Sequence, residues 1–132
     1  MKVIVAIIAV GAICAGCGQR TDPALVEAYR QARNSLPEFI SALQAPKTNE
    51  ILFTVHVYLP SKETGQLEPA SIHVNKFEGH TFSGSAIGAY PHLGLSLNQP
   101  VTVDASNVYD WCYMDLKKGV VGAFTSKFQK SQ

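Results

Sequence analysis

The chain has 132 residues, a length that fits one domain. Hydrophobic residues make up 46% of it and charged residues 16%, which is the composition of a folded protein rather than a disordered one. Lys2 is the only charged residue among the first nineteen, so acidic and basic side chains balance over the remainder. The sequence therefore lacks the basic surface of a nucleic-acid-binding protein and the polybasic segment that holds a protein on anionic lipid.

The first residues have the pattern of an export signal. Lys2 precedes an apolar run at residues 3–13, which would extend about 17 Å as a helix. The hydrocarbon core of a bilayer is about 30 Å thick, so this run is short for a transmembrane anchor. A charged residue followed by a short apolar run is typical of a secretory signal. We predict that residues 1–16 are a signal peptide.

The small residues that follow the apolar run end in the sequence CAGC, at residues 14–17. This stretch resembles a bacterial lipobox, although Cys14 stands where Leu is usual. The resemblance implies cleavage before Cys17 and attachment of diacylglyceryl and N-acyl chains, such as palmitate, to that residue. One alternative is an ordinary cleaved signal. Another is a redox or metal-binding Cys-x-x-Cys, but the chain lacks the βαβ context that a redox motif needs and the second ligand pair that a zinc site needs.

Lipidation at Cys17 would have two consequences. Cys112 would be the only thiol left after cleavage, so no intramolecular disulfide could form and the core alone would hold the fold. The protein would lie in the cell envelope, bound to the membrane through its lipid anchor. Because Gly18 rather than Asp follows Cys17, the resemblance implies the outer membrane, facing the periplasm.

Residues 21–34 have the apolar spacing of a helix, and residues 35–43 have that of a second helical segment, so the two form one helix or a helix pair. Thr21 or Asp22 can cap the start, where Pro23 suits the first turn. Ser35 and Glu38 have the spacing of a capping box around Pro37, which predicts that a second helix begins there.

After residue 50 the apolar period changes to two, which is typical of strands. We predict strands at residues 51–59, 70–77, 82–88, 101–105, 108–116 and 120–128, with a long loop at residues 89–100. Short connections and the absence of βαβ alternation predict an α+β fold. In this fold an N-terminal helix or helix pair packs on one face of a curved antiparallel sheet of about five to six strands. A tether at residues 17–22 would precede this single domain at residues 23–130.

Three short motifs carry a resemblance to a known family. They are ARNSLPEF at residues 32–39, DWCY at residues 110–113 and GVVGAFT at residues 119–125. Together they resemble the bacterial family catalogued as domain of unknown function 2314, which includes YegJ-like lipoproteins. Cys112 replaces a family Met, Ala123 replaces a Gly, and the family's Glu-His-x-Trp segment is blurred around Glu68. Because the family's activity is uncharacterised, the resemblance implies a fold and a location but no chemistry.

These motifs supply the candidate binding or structural signature, which consists of Asp110, Trp111, Tyr113, Gly122 and Thr125. Trp111 is expected to be a core or sheet-face aromatic. Its alternative role is a stacking platform for a ligand, formed with Tyr109 and Tyr113 on the same strand face.

Two residues could instead carry catalysis. Asp110 is expected to accept hydrogen bonds from a neighbouring turn or from Arg33, and its alternative role is a catalytic carboxylate. Cys112 is expected to be a small packing residue, and its alternative role is a thiol nucleophile. A structural role is better supported than a catalytic one for both residues, so we predict no catalytic residue.

The sequence predicts no metal site and no cofactor. His56, His73, His80 and His92 follow no metal-binding spacing. Ser83 lacks the Gly-x-Ser-x-Gly elbow of a hydrolase, and no phosphate-binding or dinucleotide-binding loop is present.

These observations predict a lipid-anchored envelope protein with a non-enzymatic binding domain. The partner would be a protein or another envelope component, including a toxin if the chain is an immunity-type lipoprotein. The loop around residues 90–92 or an exposed aromatic face would then carry the binding. The alternative is a small envelope hydrolase that uses Asp110 or Cys112.

Overall fold

One helix packs against one antiparallel sheet in the computed structural model, which describes residues 22–129. The helix α1 spans Pro23–Gln44, and a short helix α2 spans Ser126–Gln129. The strands are β1 (Glu50–Pro60), β2 (Leu67–Glu78), β3 (Thr81–Ala86), β4 (Pro100–Asp104), β5 (Val108–Asp115) and β6 (Gly119–Gly122). Their order in the sheet is β4-β3-β2-β1-β5-β6, and every neighbouring pair is antiparallel. The predicted α+β architecture is confirmed.

The predicted signal peptide at residues 1–16, Cys17 and the tether up to residue 21 lie outside the described residues. Between residues 22 and 129, no helix has the length and apolar character needed to cross a membrane.

The start of α1 follows from its first two residues. The Asp22 side chain accepts a hydrogen bond of 2.9 Å from the Ala24 amide, as a helix N-cap does. Pro23 follows at the first helical position, where its missing N–H leaves no helical bond unmade. From there the buried side chains recur every three or four residues, so one stripe of the helix faces the sheet. They are Ala28, Ala32, Leu36, Phe39 and Leu43.

The helix is continuous through Pro37, so the predicted second helix start is wrong. The Ser35 hydroxyl does not cap a new helix but donates back to the Gln31 carbonyl at 2.7 Å. Pro37 has no N–H to donate to the carbonyl four residues earlier, that of Arg33, so one helical hydrogen bond is absent there. Just before that point the Ala32 carbonyl accepts a 3.1 Å bond from the Trp111 indole N–H. Burial of the apolar stripe on both sides of Pro37 keeps the two halves in one helix.

Phe39 lies at the centre of the core and is fully buried. Its ring centroid lies 5.7 Å from that of Phe53, 5.8 Å from that of Phe82 and 5.3 Å from that of Trp111. These partners come from β1, β3 and β5, so one helical side chain joins three strands.

Two register shifts bend β1 against β5. The first lies between Ile51 and Thr54, where Leu52 has a φ of 60°, a strained value for a branched side chain. At the second, His56 pairs with Asp110 while the next residue, Val57, pairs with Val108. Tyr109 is therefore the extra residue of a bulge, which alters the alternation that the sequence predicts for β5.

The last strand is shorter than predicted, because β6 ends at Gly122. Gly122 has a φ of 89° and Ala123 a φ of 58°, so the backbone leaves the extended region here. Residues 123–125, which we call the C-terminal turn, then lead back across β5 into α2.

Candidate functional site

Four of the five tyrosines of the chain line one cleft of about 570 Å³. We call it the tyrosine cleft, after Tyr29, Tyr58, Tyr90 and Tyr109. Tyr29 comes from the first half of α1, Tyr58 from β1, Tyr90 from the loop after β3, and Tyr109 from the bulge of β5. Parts of β2 and the C-terminal segment complete the walls. A cleft of this volume lies in the range of about 300–1,000 Å³ that small-molecule sites occupy.

Three of these tyrosines are in contact with one another. The rings of Tyr58 and Tyr109 stack with centroids 4.3 Å apart, and the edge of one ring meets the face of the other between Tyr29 and Tyr109, at 5.8 Å. The hydroxyls of Tyr29 and Tyr58 lie 3.4 Å apart, and either can donate. The rings are therefore held in a fixed arrangement before any ligand enters.

A polar group formed by three residues, His56, Ser71 and Tyr90, lies beside these rings. The Nδ1 atom of His56 lies 2.7 Å from the Ser71 hydroxyl, on the neighbouring strand. The Ser71 amide donates to the hydroxyl of Tyr90 at 3.0 Å. Because Nδ1 of His56 is engaged, Nε2 is the ring nitrogen left for a ligand.

The cleft carries no formal charge at neutral pH. Its lining contains no Asp, Glu, Lys or Arg. Burial lowers the pKa of His56, against a smaller opposing effect from Asp110, so the imidazole is neutral at pH 7. Burial, together with the hydroxyl of Tyr58, raises the pKa of Tyr29, which keeps its hydroxyl protonated.

Ser71 and His56 have the contact of a nucleophile and its base, but not the surroundings of a catalytic pair. Such a base is usually oriented by a third group. Asp110 lies directly opposite His56 in the sheet, yet its carboxylate oxygens accept bonds from other residues. The Ser71 amide is also engaged by Tyr90. The pair is better suited to holding a ligand by hydrogen bonds.

The Asp110 carboxylate is 1% exposed and binds the C-terminal turn. One oxygen accepts from the amides of Trp111 at 2.8 Å and Phe124 at 3.1 Å. The other accepts from the Thr125 amide at 2.9 Å and the Thr125 hydroxyl at 2.6 Å. Arg33 binds elsewhere, donating to the carbonyls of Ala105 and Val108. Of the two partners expected for Asp110, the structure shows the turn and not Arg33.

Trp111 lies in the core and does not line the cleft. It is 3% exposed and stacks on Tyr113, with ring centroids 6.2 Å apart. The β5 bulge directs Tyr109 into the cleft instead, so the three rings do not form the common platform that was the alternative for Trp111.

Gly122 and Thr125 contact two adjacent residues of β5, Trp111 and Asp110 respectively. A Cβ atom on Gly122 would lie 2.5 Å from the Trp111 carbonyl oxygen and 2.6 Å from its ring. Thr125 is buried, binds Asp110, and also lines the cleft. Thr125 is therefore the signature residue that connects the motifs to the cleft.

Cys112 is partly buried and lies away from the cleft, opposite Thr54 and Gly122 in the sheet. Burial, and next the charge of Asp110, raise the pKa of its thiol. The thiol therefore remains protonated at neutral pH, which disfavours nucleophilic chemistry.

In the part of the chain that the structure describes, no group of three His, Cys, Asp or Glu side chains could hold a metal ion. Two of the four histidines have other partners: His56 binds Ser71, and His92 pairs with Glu63 at the surface.

Sequence reasoning did not identify the cleft. It pointed to the loop at residues 90–92 and to Tyr109 as possible binding residues. It weighed His56 only as a metal ligand and gave no role to Tyr29, Tyr58 or Ser71. The available signal was the mixture of His56 and Tyr58 on the more polar side of β1, facing a Ser on the next strand.

Comparison with known proteins gives one match. The family model described as "Uncharacterized protein conserved in bacteria (DUF2314)" matches residues 22–132. No curated protein and no solved structure matches the chain.

Proposed function

The chain belongs to the uncharacterised bacterial family DUF2314, and we propose that it is a lipid-anchored envelope protein that binds a ligand in the tyrosine cleft. The convergence of four of the five tyrosines on one cleft carries the proposal. Tyrosines offer large, rigid contact area together with a hydroxyl, which suits them to recognition.

The anchor part of the proposal rests on residues 1–17. It makes the chain a lipoprotein like the YegJ-like members of the family, lipidated at Cys17 and held at the outer membrane facing the periplasm. Residues 17–22 would span at most about 18 Å when extended. Leu25, in the first turn of α1, lines the cleft. The tether would therefore keep the cleft close to the membrane surface, where envelope components are concentrated.

We expect that Cys17→Ser abolishes incorporation of labelled palmitate, because the thioether and the new N-terminus both form at that residue. The measurement is metabolic labelling followed by mass spectrometry of the mature N-terminus. Cys14→Ser is the matched control, since Cys14 would be removed with the signal peptide, and this variant should still be labelled. Labelling of Cys17→Ser, or a mature N-terminus other than residue 17, would contradict the anchor.

The binding part can be tested by photo-cross-linking in living cells. We expect that a photoreactive phenylalanine in place of Tyr90 forms an adduct, detected as added mass on the intact protein. The same substitution at Tyr113, the tyrosine outside the cleft, is the control and should give none. Combining the Tyr90 probe with Tyr109→Ala should remove the adduct. An adduct at both positions, or at neither, would contradict binding in the cleft.

A hydrolase that uses Asp110 or Cys112 has weaker support. Asp110 is saturated by hydrogen bonds from the chain itself, and the Cys112 thiol is protonated and outside the cleft.

A further inference from the structure

We infer that the ligand of the tyrosine cleft is an uncharged carbohydrate whose sugar rings lie against the tyrosine side chains. This inference rests on the proposed binding function and names the class of ligand. Three properties of the cleft lead to it: its lack of charge, its aromatic walls and its hydroxyl groups.

The lack of charge excludes ligands that need a counter-charge. None of the eleven lining residues is an Asp, Glu, Lys or Arg. A charged group that leaves water for such a site loses solvation and gains no ionic partner. Phosphates, carboxylates and ammonium groups are therefore disfavoured.

The aromatic walls suit one face of a sugar ring. Each tyrosine ring has a negative face, which attracts the weakly positive C–H groups that a pyranose presents on its flat side. Tyr58 and Tyr109 are held in a stack, and Tyr29 meets Tyr109 with one ring edge-on to the other. These fixed rings would lose little conformational entropy when a ligand binds.

The hydroxyl groups suit the rim of the sugar. Ser71, Tyr29, Tyr58 and Tyr90 carry hydroxyls that both donate and accept, and His56 adds a neutral ring nitrogen. Sugar hydroxyls also donate and accept, so they match whichever direction each bond takes. These groups also bond to one another, but a purely apolar ligand would cover them and leave their remaining donor and acceptor capacity unused.

A proline-rich peptide is the strongest competing ligand, because such peptides also dock on aromatic grooves. Its prolines carry carbonyl acceptors but no N–H donor. The polar group formed by His56, Ser71 and Tyr90 offers acceptors as well as donors, so it is matched less completely by proline than by a polyol.

The test uses the full-length chain in a zwitterionic detergent, since the headgroup of a maltoside is itself a neutral sugar. Saturation-transfer NMR would measure the binding of four probes: cellotriose, chitotriose, trigalacturonate and a proline-rich decapeptide. We expect a neutral trisaccharide to bind and trigalacturonate to bind at least about tenfold more weakly, because its carboxylates lack a counter-charge.

Variants locate the binding. Tyr109→Ala removes one ring of the stack and is expected to weaken binding of the neutral trisaccharide about tenfold or more. Tyr58→Phe removes one hydroxyl and leaves the ring in place, so it keeps the test valid if Tyr109→Ala unfolds the chain, and a several-fold loss is expected. Tyr113→Phe removes a hydroxyl outside the cleft and should leave affinity unchanged.

Two outcomes would overturn the inference. The first is that neither neutral trisaccharide binds, whether or not the peptide does. The second is that trigalacturonate binds as well as the neutral trisaccharides do. The photo-cross-linking result at Tyr90 separates these failures from failure of the proposed function, since it detects a ligand of any class.

Discussion

Asp110→Ala is expected to lower the free energy of unfolding by about 3–5 kcal/mol, a large part of the total for a small domain. The substitution removes the acceptor of four hydrogen bonds from a buried site. The amides of Phe124 and Thr125 would stay at least partly buried but would lose the carboxylate that accepts their hydrogen bonds. Urea denaturation followed by the fluorescence of Trp111, the single tryptophan of the chain, measures the change.

Asp110→Asn should fall between the wild type and Asp110→Ala, with an expected loss of about 1–3 kcal/mol. An amide oxygen can still accept from the Trp111 and Phe124 amides. The new NH₂ group would face the Thr125 amide and hydroxyl, both of which donate to that position in the wild type. The hydroxyl can rotate to accept, but the amide cannot.

The matched control for these variants is Asp104→Ala. Asp104 also accepts from a backbone amide and a hydroxyl, both of Ser106, but it is exposed to solvent. Water can replace these bonds, so a loss of about 0.5–1 kcal/mol is expected. Equal losses at the two positions would contradict a special role of the buried Asp110 carboxylate.

The position of Asp110 links stability to the cleft. Its carboxylate fixes Thr125, which lines the cleft, and α2 follows directly and contributes Phe128 to the same wall. Asp110 does not itself line the cleft. Loss of ligand binding in a folded Asp110→Asn variant would therefore reflect displacement of the C-terminal wall, and the Tyr90 probe would report it.

The three motifs that carry the family resemblance bind one another. The Trp111 indole N–H donates to the Ala32 carbonyl, and this bond joins the second motif to the first. Asp110 accepts from Thr125, which joins the second motif to the third. The motifs therefore form a junction between α1, β5 and the C-terminal turn. The three motifs therefore share a structural role in this part of the fold.

Most of the fold could be predicted from local patterns. The apolar spacing of α1 and the alternation in β1 depend on periodicity alone, and all six predicted strands are present. The predicted second helix start failed because the capping-box spacing of Ser35 and Glu38 is a local signal, whereas burial of Leu36 and Phe39 against the sheet decides the outcome.

The cleft could not be predicted in the same way. Its tyrosines come from a helix, two strands and a loop, and only the tertiary fold brings them together. Tyr109 is the clearest case. Strict alternation places it with Trp111, and the bulge opposite His56 and Val57 moves it into the cleft. A one-residue shift in register has no signal in the strand's own sequence.

Gly122→Ala is the second substitution with a large expected effect, a loss of about 2–4 kcal/mol. Two terms contribute. Gly122 has a φ of 89°, which strains any residue that carries a Cβ atom. That atom would also lie 2.5 Å from the Trp111 carbonyl oxygen and 2.6 Å from two atoms of its ring, so β5 or the ring must move. Urea denaturation measures the loss, and a shifted Trp111 emission spectrum in the folded state would report the movement.

Gly119→Ala separates the two terms because it lies on the same strand. Gly119 has a φ of 95°, but nothing lies within 4 Å of a Cβ atom built there. It should therefore show the backbone strain alone, about 1 kcal/mol, with an unchanged Trp111 spectrum. The difference between the two variants measures the contact between the third motif and the indole of the second. If both variants lose the same stability and both leave the emission unchanged, the close approach of Gly122 to Trp111 does not hold the junction together.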